Sequence, residues 1–117
     1  MEARVVARFM HTSPMKLRRI GDAIRGKPVP LALATLQYLP GPTAQTMLKV
    51  VRSAVANADD LHGLEPEELF VAEIAVDDAG RTRGTKGWRP GARGRYKMMR
   101  RRSSHIRVVL RAAEMEE

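Results

Sequence analysis

Residues 3 to 9, Ala-Arg-Val-Val-Ala-Arg-Phe, alternate along the chain and predict a half-buried strand, with Val5, Ala7 and Phe9 on one face and Arg4, Val6 and Arg8 on the other. Ser13-Pro14 then predicts a helix start, because the Ser hydroxyl can accept from a free backbone N–H and Pro loses nothing at the first helical position. Leu17, Ile20 and Ile24 form the apolar stripe of that helix, which runs to about Arg25 and stops at Gly26. A second helix is expected over Leu31–Leu39, carrying Leu33 and Leu36, and Pro40-Gly41-Pro42 ends it. Thr43 is the expected cap of a third. Its Leu48, Val51, Val55 and Ala58 share a face, and Ala54, Ala56 and Ala58 suit close packing.

Residues 59 to 68 then read as an acidic loop, and two more strands follow. Leu69–Val76 should present Phe70, Ala72, Ile74 and Val76 on one face, and Ile106–Leu110 should turn Ile106, Val108 and Leu110 inward. The expected fold class is α+β, with three helices packed on a small antiparallel sheet. If the last two strands pair as a hairpin, its turn falls around residues 90 to 92, where Pro90-Gly91 sits. Each side would then have about 13 residues beyond Asp77, up to roughly 40 Å at about 3.3 Å per residue. The segment 77–105 is thus predicted to be a protruding β-hairpin on a single domain spanning 1–117.

Charge gives that hairpin its meaning. From Ala79 to Ala113 there are twelve Lys or Arg and no Asp or Glu, whereas residues 1 to 78 hold nine basic against ten acidic residues. Glu114, Glu116 and Glu117 bring the total to the net +8 of the chain. A near-neutral body with one cationic projection is the footprint of a nucleic-acid binder. Each neutralised phosphate releases a counterion, and Arg adds a planar fork that grips phosphate and stacks on bases. A ribbon so rich in Arg and Gly buries too little to hold itself together in water, so its order should come from its partner. Aromatic residues are only 4% of the chain, which argues against a stacking sheet of the RNA-recognition-motif kind and for readout of RNA shape.

Other chemistries find little support in the sequence. With no Cys there is neither a disulfide framework nor a thiolate metal site, and no apolar run approaches the roughly 20 residues of a membrane span. A cytoplasmic protein with no cofactor, no metal and no membrane partner is expected. Ser104 and His105 would face opposite sides of a strand and so would not act on one substrate, and His11, His62 and His105 lack metal-ligand spacing. A small basic RNA-processing enzyme or nuclease is the alternative reading. It would need a paired acid and base, which the arm lacks. A membrane-active or DNA-compacting protein would want a basic amphipathic helix or a dimer-forming core, and here the basic run is Gly-rich and flanked by strands.

Five fragments now fall into one register: Ser13-Pro14-Met15-Lys16-Leu17-Arg18, Ile24-Arg25-Gly26-Lys27, Ser53-Ala54-Val55-Ala56-Asn57-Ala58, Ala92-Arg93-Gly94-Arg95 and Arg102-Ser103-Ser104-His105-Ile106. In order and spacing they resemble bacterial ribosomal protein twenty-two of the large subunit, over almost the whole chain. The resemblance implies a structural constituent of the large subunit, without catalysis, that braces large-subunit ribosomal RNA while its hairpin helps line the nascent-peptide exit tunnel. Implied partners are that RNA, neighbouring ribosomal proteins and the nascent peptide, with one copy per ribosome.

The residues assigned to RNA binding are Ser13, Lys16, Arg18, Arg19, Arg25 and Lys27 in and after the first helix, and Arg81, Arg83, Lys86, Arg93, Arg95, Lys97, Arg100, Arg101, Arg102, Ser104 and His105 in the arm. The tunnel tip is assigned to Trp88, Arg89, Pro90, Gly91, Ala92 and Arg93. Trp88 would stack on a base or the tunnel wall, the alternative being simple packing within the hairpin. Two departures from the family stand out. The segment from Asp78 to Pro90 is about three residues longer, and Pro90-Gly91-Ala92 stands where the family has Pro-Arg-Ala, so that Arg89, Arg93 or Trp88 would fill the vacated role.

Overall fold

The computed structural model describes residues 2–81, 87–90, 92–94, 96–99 and 102–112. The elements follow the expected order: β1 (Glu2–Met10), α1 (Pro14–Ile24), α2 (Val29–Tyr38), α3 (Pro42–His62), β2 (Leu69–Arg81), β3 (Gly87–Pro90), β4 (Tyr96–Met99) and β5 (Arg102–Ala112). β5 lies between β1 and β2 in an antiparallel three-stranded sheet, and β3 pairs with β4 in a separate two-stranded ladder. The α+β reading holds. The molecule measures 70 × 25 × 18 Å.

The helices cover one face of the sheet. Leu17 and Ile24 of α1, Leu36 of α2, and Met47, Val51, Ala54 and Ala58 of α3 are buried against Ala3, Ile74, Ile106, Val108 and Leu110. Aliphatic and small side chains fill this core, as the low aromatic content requires. α1 lies close on β2: a Cβ on Gly21 would lie 3.0 Å from Cγ2 of Ile74. Glycine at that point lets the helix backbone lie down on the strand.

Several local expectations are corrected. Ser13 caps α1 through its backbone geometry only, with no side-chain hydrogen bond. α2 begins at Val29, ahead of Leu31, because Pro30 starts the helix rather than delaying it. Gly41, not Thr43, caps α3 at φ 97°, and Pro42 takes the first turn. α3 also runs through Asp59 and Asp60 to His62, so the acidic loop begins only at Gly63. That glycine sits at φ 65°, donating to the carbonyl of Asp59 at 2.9 Å, while Leu64 reaches back to Ala58 at 3.3 Å. Such left-handed closure satisfies the last carbonyls of the helix. Ala56 faces solvent, whereas Ala54 and Ala58 make the close packing.

Two β-bulges overturn the predicted faces. The register of β2 against β5 shifts between Val71 and Glu73, so Leu69 and Val71 are buried before the bulge and Ile74 and Val76 after it. Phe70 and Ala72, expected inward, are only half-buried. In β1 the shift lies between Ala7 and Met10, and Phe9 turns outward with 63% of its surface exposed. An extra residue in one strand inverts alternation beyond it, which a period of two cannot anticipate.

Candidate nucleic-acid interface

The three-stranded part of the sheet ends at the pairs Met10↔Ser104 and Asp78↔Ser104. Beyond them only β2 and β5 continue, through Gly80↔Ser103 to Arg81↔Arg102. The ladder resumes at Gly87↔Met99, Trp88↔Met98, Arg89↔Lys97 and Pro90↔Tyr96. Five residues separate the two ladders on the outgoing side and two on the return. The turn then has to join Pro90 to Tyr96, so its centre is Arg93 and not residues 90 to 92. Arg93 is exposed and has φ 59°, followed by Gly94 at φ 74°.

Cross-strand charge differs between the body and the arm. In the body, Glu2 pairs with Arg111 in register and accepts its Nε–H at 2.7 Å, and Arg107 donates to Glu73 at 3.1 Å. The hydrogen bond from Arg111, then the positive charge of Arg111, holds the Glu2 carboxyl below its ordinary range. In the arm, register partners carry the same sign: Arg81 opposes Arg102 and Arg89 opposes Lys97. Like charges directly opposed weaken a ladder.

Arg83, Lys86, Gly91, Arg95, Arg100 and Arg101, assigned above to RNA or to the tip, lie outside the described residues. Of the remaining assigned positions, Trp88 and Pro90 flank Arg89 in β3, Lys97 lies in β4, and Ala92 opens the turn.

The α1 residues divide by partner. Lys16 and Arg19 are exposed, Ser13 is half-buried, and Lys27 is half-buried with its carbonyl accepting from the Val71 N–H at 2.9 Å. Arg18 and Arg25 have a structural task. Arg18 donates to the Val76 carbonyl from Nε at 3.2 Å and Nη2 at 3.0 Å, and Arg25 donates from Nη2 to the Ile74 carbonyl at 2.8 Å while Nη1 pairs with Asp22. Alternate carbonyls of β2, on the edge away from β5, are thereby capped by side chains of α1. An exposed sheet edge is a template for unwanted pairing, and covering it with a helix removes that hazard.

Ser104 is fully buried, its hydroxyl donating to the Thr12 carbonyl at 2.6 Å. It belongs to the interior, at the point where β1 ends. His105 is half-buried and accepts the Phe9 N–H at Nδ1, 3.0 Å away. His62 meets the Glu2 carbonyl at 3.1 Å, and His11 is exposed. Among the described residues no His, Asp and Glu side chains gather into a metal-holding group. No helix among them is long and apolar enough to cross a membrane.

The profile of the family described as ribosomal protein L22p/L17e matches residues 5–111. The chain belongs to that family. Similar proteins include large ribosomal subunit protein uL22 of Thermomicrobium roseum, 48% identical over 94% of this chain and 91% of that protein. The same-named protein of Carboxydothermus hydrogenoformans is 45% identical over 100% of this chain and 99% of that one. That of Desulforamulus reducens is 44% identical over 94% and 95%. Membership makes this a ribosomal protein, a structural constituent and not an enzyme. The nuclease alternative gains no support.

Two features escaped the sequence reading. The outward turn of Phe9 depends on a bulge that leaves no glycine or proline as a mark. The grip of Arg18 and Arg25 on β2 was hidden because a basic residue off an apolar stripe reads equally well as a phosphate ligand. Their spacing around Gly21, three before and four after, is the one signal that could have placed all three on the face that meets β2.

Proposed function

We propose that this chain is a structural protein of the large ribosomal subunit in the cytoplasm, binding ribosomal RNA and neighbouring ribosomal proteins. Segment 77–105 acts as a basic arm threaded into that RNA, and its tip helps line the nascent-peptide exit tunnel, one copy serving each ribosome. The carrying observation is the pairing of like charges along the arm, Arg81 with Arg102 and Arg89 with Lys97, against the pairing of opposite charges in the body. Phosphates between such pairs turn repulsion into attraction. Arg93, at the centre of the turn, supplies a cation at the apex in place of the one lost at Gly91. Ser13, Lys16 and Arg19 carry the contact from the body, while Arg18 and Arg25 keep donors to spare beyond those given to β2.

Nucleotide-resolution crosslinking in intact subunits tests the reading. Crosslinks from residues 81 to 102 to RNA, and from Arg93 to a stalled nascent peptide, are expected. An arm that crosslinks only to solvent-facing protein neighbours would contradict it.

A further inference from the structure

Phe9 combines an exposed ring with an unfavourable backbone conformation. Its ring is 63% exposed although alternation would turn it into the core, and its backbone holds φ 56°, a region that costs free energy for any residue with a Cβ. Two contacts with one neighbour keep it there. The Phe9 N–H donates to Nδ1 of His105 at 3.0 Å, and the two rings meet edge to face with centroids 4.7 Å apart and planes 85° apart. Whichever ring offers its edge, at least one face of the phenyl group stays free. The fold gains little from this arrangement and is held to it.

The position is informative. Phe9 lies in β1 one residue before the Met10↔Ser104 pair that closes the three-stranded sheet, which is where the arm leaves the body. Arg8 and His11 on either side are exposed, and Arg81 and Arg102 form the next ladder pair but one beyond Ser104. On the far side of His105 its register partner is Asp77, with Asp78 beside it opposite Ser104. The Asp77 carboxylate there disfavours a phosphate next to the imidazole, whereas a nucleobase brings a flat, uncharged face.

We infer that Phe9, backed by His105, is a stacking platform for one unpaired RNA base at the root of the arm. The inference rests on the proposed RNA-binding function and adds a site to it. Stacking on an exposed aromatic tolerates any base and neutralises no phosphate. Phe9 should therefore contribute to affinity without contributing to its salt dependence, unlike every cation of the arm.

The test uses the full chain and a transcript of the large-subunit ribosomal RNA. Affinity is measured across a series of salt concentrations for the wild type and for Phe9→Asn, Phe9→Leu and Phe9→Tyr. Asn tolerates the left-handed backbone, so that variant removes the ring without disturbing the fold. Loss of affinity by about 5- to 150-fold is expected for Asn and Leu, with Tyr close to wild type and all four salt slopes equal. Wild-type affinity in Phe9→Asn, with a steep salt slope retained, would overturn the stacking site while leaving RNA binding intact; Phe9 would then face a protein neighbour. Rescue by Leu would show an apolar contact in place of stacking and overturn it too. A wild type that binds with no salt dependence would defeat the underlying function as well.

Discussion

Arg18 sends two N–H groups, Nε at 3.2 Å and Nη2 at 3.0 Å, to the single carbonyl of Val76. With Arg25 on Ile74 and the Gly21 backbone pressed against Ile74 between them, it fastens α1 along the free edge of β2. The root of the arm is thus fixed to the body by a helix whose arginines would otherwise be counted as RNA ligands.

Replacing Arg18 with Ala should cost the body about 1 kcal/mol, below the full value of charged hydrogen bonds because the side chain is exposed. Arg18→Lys should recover only part of this, since an ammonium cannot reproduce the fork. Urea unfolding with an unchanged slope measures the loss. A midpoint equal to wild type would mean that the contact with Val76 adds nothing.

Ser104→Ala should act on stability and not on RNA. Its hydroxyl is buried and committed to Thr12, so its removal leaves a carbonyl without a donor at a cost of about 1–3 kcal/mol. Thermal melting should shift downward while the salt dependence of RNA affinity stays as in the wild type. A change in that dependence with no loss of stability would return Ser104 to the interface.

The Glu2–Arg111 pair sets a pH response at the ends of β1 and β5. Because Arg111 lowers the folded-state pKa of Glu2 from its ordinary 4.5, its stabilisation is fully present above that value and fades as pH falls through the lowered one. Protection factors at Ala3 and Leu110, each referred to the intrinsic exchange rate at the same pH, should fall below pH 4.5 in the wild type. The fall should be smaller in Arg111→Gln, which has already lost the charge; an equal response in both would show that the pair does not titrate with folding.

The element order, the α+β class and the antiparallel pairing of the last two long strands were legible because periodic apolar positions and Pro–Gly punctuation mark them locally. Leu17, Leu48, Val51 and Val108 fell into the core as their spacing requires. The bulges at Ala72 and before Met10 were not legible: an inserted residue in one strand is defined by its partner, and the partner is distant in sequence. The same holds for Ser104, whose burial follows from a contact with Thr12, far away along the chain. The apex was misplaced at 90–92 because a midpoint assumes equal arms. Five residues against two between the ladders move it to Arg93.

The central claim is that the arm, far more than the body, binds RNA through phosphate neutralisation. Its most direct test compares the wild type with a variant in which residues 81 to 102 are replaced by a short turn joining Gly80 to Ser103, both titrated with large-subunit ribosomal RNA from 50 to 200 mM salt. If six to ten arm cations meet phosphates, wild-type affinity should fall by about a thousand- to a hundred-thousand-fold over that range. The shortened protein should stay folded, bind far more weakly and respond to salt with a much shallower slope. Equal affinity and equal slope in the two proteins would contradict the account.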